Sequence, residues 1–189
     1  SHVMEYPAMQ DPTSPRMSFT SVNTDVDLIP REVLFGNPER SGVKLSPDGT
    51  MIAYLSPHEG VLNVWVMDVS GRDARPITRS TDRPIRSCTW AKNGQQILYT
   101  NDEGGDENTH VYAIGIEGGE PNDLTPGDAV KAQVIAQHRD RPDEILVMTN
   151  ARDPQVFDVS RLDTRSGAST TVFLNDGGYV GMVPDDAWV

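Results

Sequence analysis

Short runs rich in Val, Ile, Leu and Tyr recur along residues 42–189, each bounded by Gly, Pro, Asn or Asp. Such runs, with turn residues between them, predict short β-strands. Two stretches superpose without a gap: Leu45-Ser46-Pro47-Asp48-Gly49-Thr50-Met51-Ile52-Ala53-Tyr54 falls on Trp90-Ala91-Lys92-Asn93-Gly94-Gln95-Gln96-Ile97-Leu98-Tyr99, an offset of 45. Each reads as strand, tight turn, strand, because the glycine after Asp or Asn takes a positive φ without a Cβ clash. A third strand follows each hairpin, Asn63–Asp68 in the first and His110–Gly115 in the second, now at an offset of 47. A fourth closes each unit, with Ala74–Thr78 on Pro121–Thr125.

A third unit is weaker. Val130–Ala136 is its first strand, Arg139–Glu144 the turn, and Ile145–Met148 the second strand. Val156–Asp163 and Thr170–Leu174 supply the third and fourth, with Leu162-Asp163 falling where Met67-Asp68 falls. A fourth unit opens at Tyr179–Val183, turns at Pro184-Asp185-Asp186 and stops inside Ala187-Trp188-Val189, which reads as a cut within a strand. Four short strands in about 45 residues is the period of a propeller blade. The expected fold is therefore all-β: a partial β-propeller of four-stranded antiparallel blades, three complete and a fourth begun. Trp65, Tyr112, Tyr54, Tyr99 and Trp90 are expected to be largely buried, with no long helix in residues 42–128.

Residues 1–24 are polar and proline-bearing and read as a flexible arm. Residues 25–41 read as a short helical lead-in, with Pro30 at a first helical position and Gly36 as a stop. The blades then occupy residues 42–189. The formal net charge of −12 argues against a nucleic-acid partner. No apolar stretch reaches the roughly 20 residues of a membrane span, so no membrane partner is expected. The single cysteine, Cys88, lies in what reads as a buried strand with no acid–base partner beside it. It can form no disulfide within the chain, which favours a reducing, cytoplasmic setting.

The sequence holds no recognisable catalytic apparatus: no catalytic, cofactor-binding or metal-binding residue is assigned, and no cofactor is expected. There is no Gly-x-Ser-x-Gly elbow. His2, His58, His110 and His138 have no zinc-ligand spacing and read as surface or strand-edge residues. Gly115-Ile116-Glu117-Gly118-Gly119 lies between two strands and reads as a turn rather than a phosphate loop. The acidic stretch Asp102–Asn108 offers oxygens of the kind calcium takes, but not the spacing of a helical calcium loop. The competing reading is a loop whose carboxylates accept backbone N–H bonds and fix the start of the third strand.

Several stretches, in this order, resemble the start of the propeller in the prolyl oligopeptidase family. They are Phe35-Gly36-Asn37-Pro38-Glu39-Arg40, Leu45-Ser46-Pro47-Asp48-Gly49, Asn63-Val64-Trp65-Val66, Asn101–Asn108 leading to Val111-Tyr112, and Asp123-Leu124-Thr125-Pro126-Gly127. The branch they resemble is that of the acylaminoacyl-peptidases and dipeptidyl-aminopeptidase-like members. The resemblance implies a propeller of seven or eight blades capping a C-terminal α/β-hydrolase domain with a Ser-Asp-His triad, and restricting access to peptides. That hydrolase domain and a peptide substrate are the partners it implies. None of the triad maps onto this chain, and no Glu-Glu pair for a substrate amino terminus is present. The alternative is a TolB-like or tryptophan–aspartate-repeat propeller that binds protein partners.

Overall fold

The computed structural model describes residues 39–102, 104–185 and 188. The arm and nearly all of the expected helical lead-in, including Pro30, Phe35 and Gly36, lie outside the described residues. Among the described residues there is no helix. Twelve strands form three antiparallel four-stranded sheets.

The first sheet holds β1 (Ser41–Leu45), β2 (Met51–His58), β3 (Val61–Asp68) and β4 (Arg75–Pro76), in that spatial order. The second holds β5 (Cys88–Trp90), β6 (Gln96–Asp102), β7 (Thr109–Gly115) and β8 (Asn122–Asp123). The third holds β9 (Ala132–His138), β10 (Arg141–Asp153), β11 (Val156–Asp163) and β12 (Ser169–Phe173). Each is an up-and-down meander, so consecutive strands are neighbours, as short connections require.

The turns close as their residues dictate. In the first hairpin Ser46 N–H donates to the Met51 carbonyl at 2.9 Å and Gly49 N–H to the Ser46 carbonyl at 2.9 Å. The second repeats this with Ala91 to Gln96 at 2.9 Å and Gly94 to Ala91 at 3.0 Å. Asp68 and Asp163, aligned by the repeat, cap the turns after β3 and β11. Asp68 accepts from Arg72 N–H at 2.8 Å, and Asp163 from Ser166 N–H at 2.7 Å.

Two apolar layers lie between the sheets. Ala53, Leu55, Val64 and Val66 of the first sheet pack with Cys88, Trp90, Ile97, Tyr99 and Ile114 of the second. The other face of the second sheet, Leu98, Val111 and Ala113, packs with Ile145, Val147 and Leu162 of the third. Period-two alternation along β6 and β7 sends successive side chains to opposite layers. One sheet therefore serves both cores.

Three details depart from the sequence reading. Trp65 and Tyr112 are half-buried, whereas Tyr54, Trp90 and Tyr99 are buried. Each half-buried ring pairs across its hairpin with a buried tyrosine, but stands on the side closed only by a two-residue outer strand. In the third sheet β10 runs from Arg141, so the charged segment assigned to the turn already belongs to the ladder, with irregular register up to Ile145. Finally, residues 179–183 form no strand.

Candidate functional site

No constellation of nucleophile, base and oxyanion donors emerges among the described residues. Chemistry-bearing side chains instead collect in three polar clusters, each tied to a particular place in the blades.

The first is at the loop end of the second sheet. β6 ends in Asp102, and the segment leading into β5 brings Arg83 against it: the guanidinium Nη2 lies 2.9 Å from Oδ2, with two further bonds to Oδ1 at 3.3 Å. This two-pronged donation holds the Asp102 carboxyl below the usual carboxylate range. Four residues on, Asp106 accepts the backbone N–H of Asn108 at 2.9 Å, just before β7 begins. The loop carboxylates thus fix the start of the third strand, in keeping with the second of the two readings of this segment. Among the described residues, no three His, Cys, Asp or Glu side chains converge as a metal site would need.

On β7 itself, His110 Nδ1 lies 2.7 Å from Asp123 Oδ2, and its ring stacks on Tyr112 at 6.2 Å. Asp123 Oδ1 also accepts the Thr125 N–H at 2.9 Å, and the Thr125 hydroxyl accepts the Val111 N–H at 2.9 Å. His110 is therefore a strand residue that clamps the β8 exit. Asn63, which aligns with it one blade earlier, accepts from Thr78 Oγ1 at 2.8 Å and Ser80 N–H at 2.7 Å.

The second cluster spans the seam between the second and third sheets. Asn93, from the β5–β6 turn, donates to Asp143 Oδ1 at 2.8 Å, and Arg165 Nε donates to the same oxygen at 2.7 Å. Gln96 exchanges two bonds with Thr164, at 3.0 Å to its carbonyl and 2.8 Å from its hydroxyl. Donation from Asn93 first, then Arg165, holds the Asp143 carboxyl below its ordinary range. Turns from two blades are bolted together by side chains that no single repeat contains.

The third cluster is a cleft of about 450 Å³ between the β8 exit and the third sheet, lined in part by Thr125, Thr149, Ser160 and Thr171. At its margin Arg152 grips Asp158 with bonds of 2.6 and 2.8 Å, and Asp158 also accepts the Asn175 N–H at 2.8 Å.

The remaining candidates lie in strands and turns, apart from His2, which falls outside the described residues. Cys88 is buried in the first apolar layer, and burial pushes its thiol up to about 11. His58 stands edge-on to Trp65 at 6.0 Å, and His138 edge-on to Trp188 at 5.9 Å. Gly115 to Gly119 form a turn, with Gly118 N–H donating to the Gly115 carbonyl at 2.9 Å.

These blades have close counterparts. No family model matches the chain. Dipeptidyl aminopeptidase BIII of Pseudoxanthomonas mexicana is 41% identical over 160 residues, covering 84% of this chain and 23% of that protein. Dipeptidyl peptidase family member 6 of Caenorhabditis elegans is 30% identical over 158 residues, covering 79% and 21%. The chain is a propeller portion of the prolyl oligopeptidase family. It spans roughly a fifth to a quarter of the length of these two relatives.

Solved structures agree on the fold. An acylaminoacyl peptidase in complex with a chloromethyl ketone superposes with a TM-score of 0.53 at 20% identity, over 75% of this chain and 26% of that one. The β-propeller domain of the Trilobed protease from Pyrococcus furiosus gives 0.51 at 21% identity, over 71% and 43%. A putative TolB from Agrobacterium tumefaciens also gives 0.51, at 18% identity over 71% and 48%.

Proposed function

We propose that this family member contributes the non-catalytic part of a serine peptidase: a propeller segment that caps and gates an α/β-hydrolase domain of the same polypeptide and admits peptides to it. The observation that carries this reading is the 41% identity to dipeptidyl aminopeptidase BIII, spread over 84% of the chain. The architecture is suited to the task. Stacked sheets form a rigid frame, and polar loops at the strand ends can differ freely without disturbing it. A cytoplasmic setting belongs to the same proposal, on the ground of the buried free thiol of Cys88.

A fluorophosphonate probe tests the reading. The 189-residue chain should not be labelled and should leave peptide anilides intact. A longer protein that contains it and matches its relatives in length should be labelled at one serine C-terminal to Val189, followed in sequence by Asp and then His. A longer protein without a reactive serine would favour a TolB-like protein-binding scaffold. The fold likeness to TolB is as good as that to the protease propeller, so geometry does not separate the two.

A further inference from the structure

The turn Ala91-Lys92-Asn93-Gly94-Gln95 contains the chain's one Asn-Gly pair. That dipeptide has its own chemistry. The backbone nitrogen of the following residue can attack the asparagine Cγ, forming an N–C bond and expelling the side-chain nitrogen as ammonia. Water then opens the resulting succinimide to aspartate or isoaspartate. Glycine favours the attack because no Cβ hinders its nitrogen.

In the folded chain this attack is opposed from both sides. Gly94 has φ of 68°, and its N–H is spent on the Ala91 carbonyl at 3.0 Å. The Asn93 amide is held at both ends. Its Oδ1 accepts the Gln95 N–H at 2.9 Å, while its Nδ2 donates to Asp143 Oδ1 at 2.8 Å and to Gln96 Oε1 at 3.0 Å. The reaction therefore needs the seam between the second and third sheets to let go.

The product would resist closing again. In the aspartate product, with an oxygen in place of Nδ2, three acceptors face one another: the new carboxylate, Asp143 Oδ1 and Gln96 Oε1. Gln96 cannot turn its amide to help without giving up Thr164, which it binds through both its oxygen and its nitrogen. Arg165, the cation of the seam, is already engaged with Asp143 and with Gln95 Oε1 at 3.0 Å. Two carboxylates in contact repel, and the new oxygen meets no donor in the place where Nδ2 had donated twice.

We propose that Asn93-Gly94 is a spontaneous deamidation site, kept unreactive by the seam between the second and third blades, and that its product holds that seam open. This stands independently of the peptidase reading.

The test is peptide mapping by mass spectrometry after incubation at mildly alkaline pH, with isoaspartate assayed in the same peptide. Three samples are compared: the folded chain, the chain unfolded in urea, and the variant Arg165→Ala, with its fold checked by circular dichroism. Deamidation at Asn93 should be at least about tenfold slower in the folded chain than in the unfolded one, with the variant between them. Equal rates in the folded and unfolded chain would overturn the protection. So would a variant as slow as the parent while hydrogen exchange shows the Asn93 amide opened. The second half is tested with Asn93→Asp, which should lower the urea midpoint, and with Asn93→Asp combined with Asp143→Asn, which should recover part of the loss. An Asn93→Asp chain as stable as the parent, or no recovery in the double variant, would overturn the latch.

Discussion

Trp90 donates its indole N–H to the backbone carbonyl of Lys44 across 3.1 Å, joining β5 of the second sheet to β1 of the first. The ring itself is buried in the first apolar layer. One side chain thus supplies both packing and a polar tie between the first strands of adjacent sheets. The two contributions can be separated. Trp90→Phe keeps most of the ring volume and loses the bond, so a cost of about 1 kcal/mol is expected. Trp90→Ala also opens a cavity, for a cost of about 3–5 kcal/mol. Urea unfolding of both variants reads the difference, and equal losses would mean the bond carries most of the effect.

Gly127 makes the connection from β8 to β9 a position where backbone conformation decides. Its φ is 146°, and a Cβ built there would stand 2.8 Å from Cγ2 of Val130, a buried residue of the second layer. Gly127→Ala should therefore lower stability by roughly 1 kcal/mol or more, against the usual gain on removing glycine entropy. Gly60, with a φ of 86° and nothing within 4 Å of its Cβ, provides the control. Its alanine variant carries backbone strain alone and should lose less. If the two cost the same, the Val130 contact is irrelevant.

Cys88 should behave as a protected thiol. Desolvation raises it to about 11, so at neutral pH hardly any thiolate exists, and the side chain has little access to solvent. A disulfide-exchange reagent should react with it slowly in the native chain and rapidly in urea. Fast labelling of the native chain would show that the interface between the first two blades opens far more readily than its packing implies.

The repeat made the sheets legible, whereas the clusters lay largely hidden. Gly49 and Gly94 mark two hairpins, and the alternation around Asn63–Asp68 and His110–Gly115 marks their third strands, because turn chemistry and side-chain period act locally. Arg83 and Asp102 meet from segments 19 residues apart with no periodic relation, and Asn93 and Asp143 from 50 apart. The first pair is set by how the segment before β5 folds back on its own sheet, and the second by how one sheet lies on the next; no local pattern encodes either. The same reason explains Trp65 and Tyr112. Their residue type suited a core, but their exposure depends on the two-residue length of β4 and β8. The charged run Arg139–Glu144 hid the start of β10 because ladder bonds are made by backbone, whatever the side chains.

Asp158 is nearly fully buried, with bonds of 2.6 and 2.8 Å from Arg152 and 2.8 Å from the Asn175 N–H. Donation from Arg152, foremost, holds its carboxyl below the ordinary range. Asp143, donated to by Asn93 and Arg165, is depressed as well. A carboxyl with a lower pKa in the folded than in the unfolded state binds its proton less readily when folded. Between the ordinary carboxylate range of about 4 and the depressed native values, the unfolded chain therefore carries more protons. The stabilisation is present above that range and fades as pH falls through the native values. Urea midpoints should thus be flat from about pH 7 to 5 and drop steeply below about pH 4. Asp158→Asn keeps the shape but removes the charge and leaves Arg152 poorly matched. It should cost roughly 1–3 kcal/mol at neutral pH, towards the lower end because the Arg152 side chain is 47% exposed. It should also flatten the acid limb, because one depressed carboxyl is gone. An acid limb as steep in Asp158→Asn as in the parent would show that other carboxylates govern the acid response.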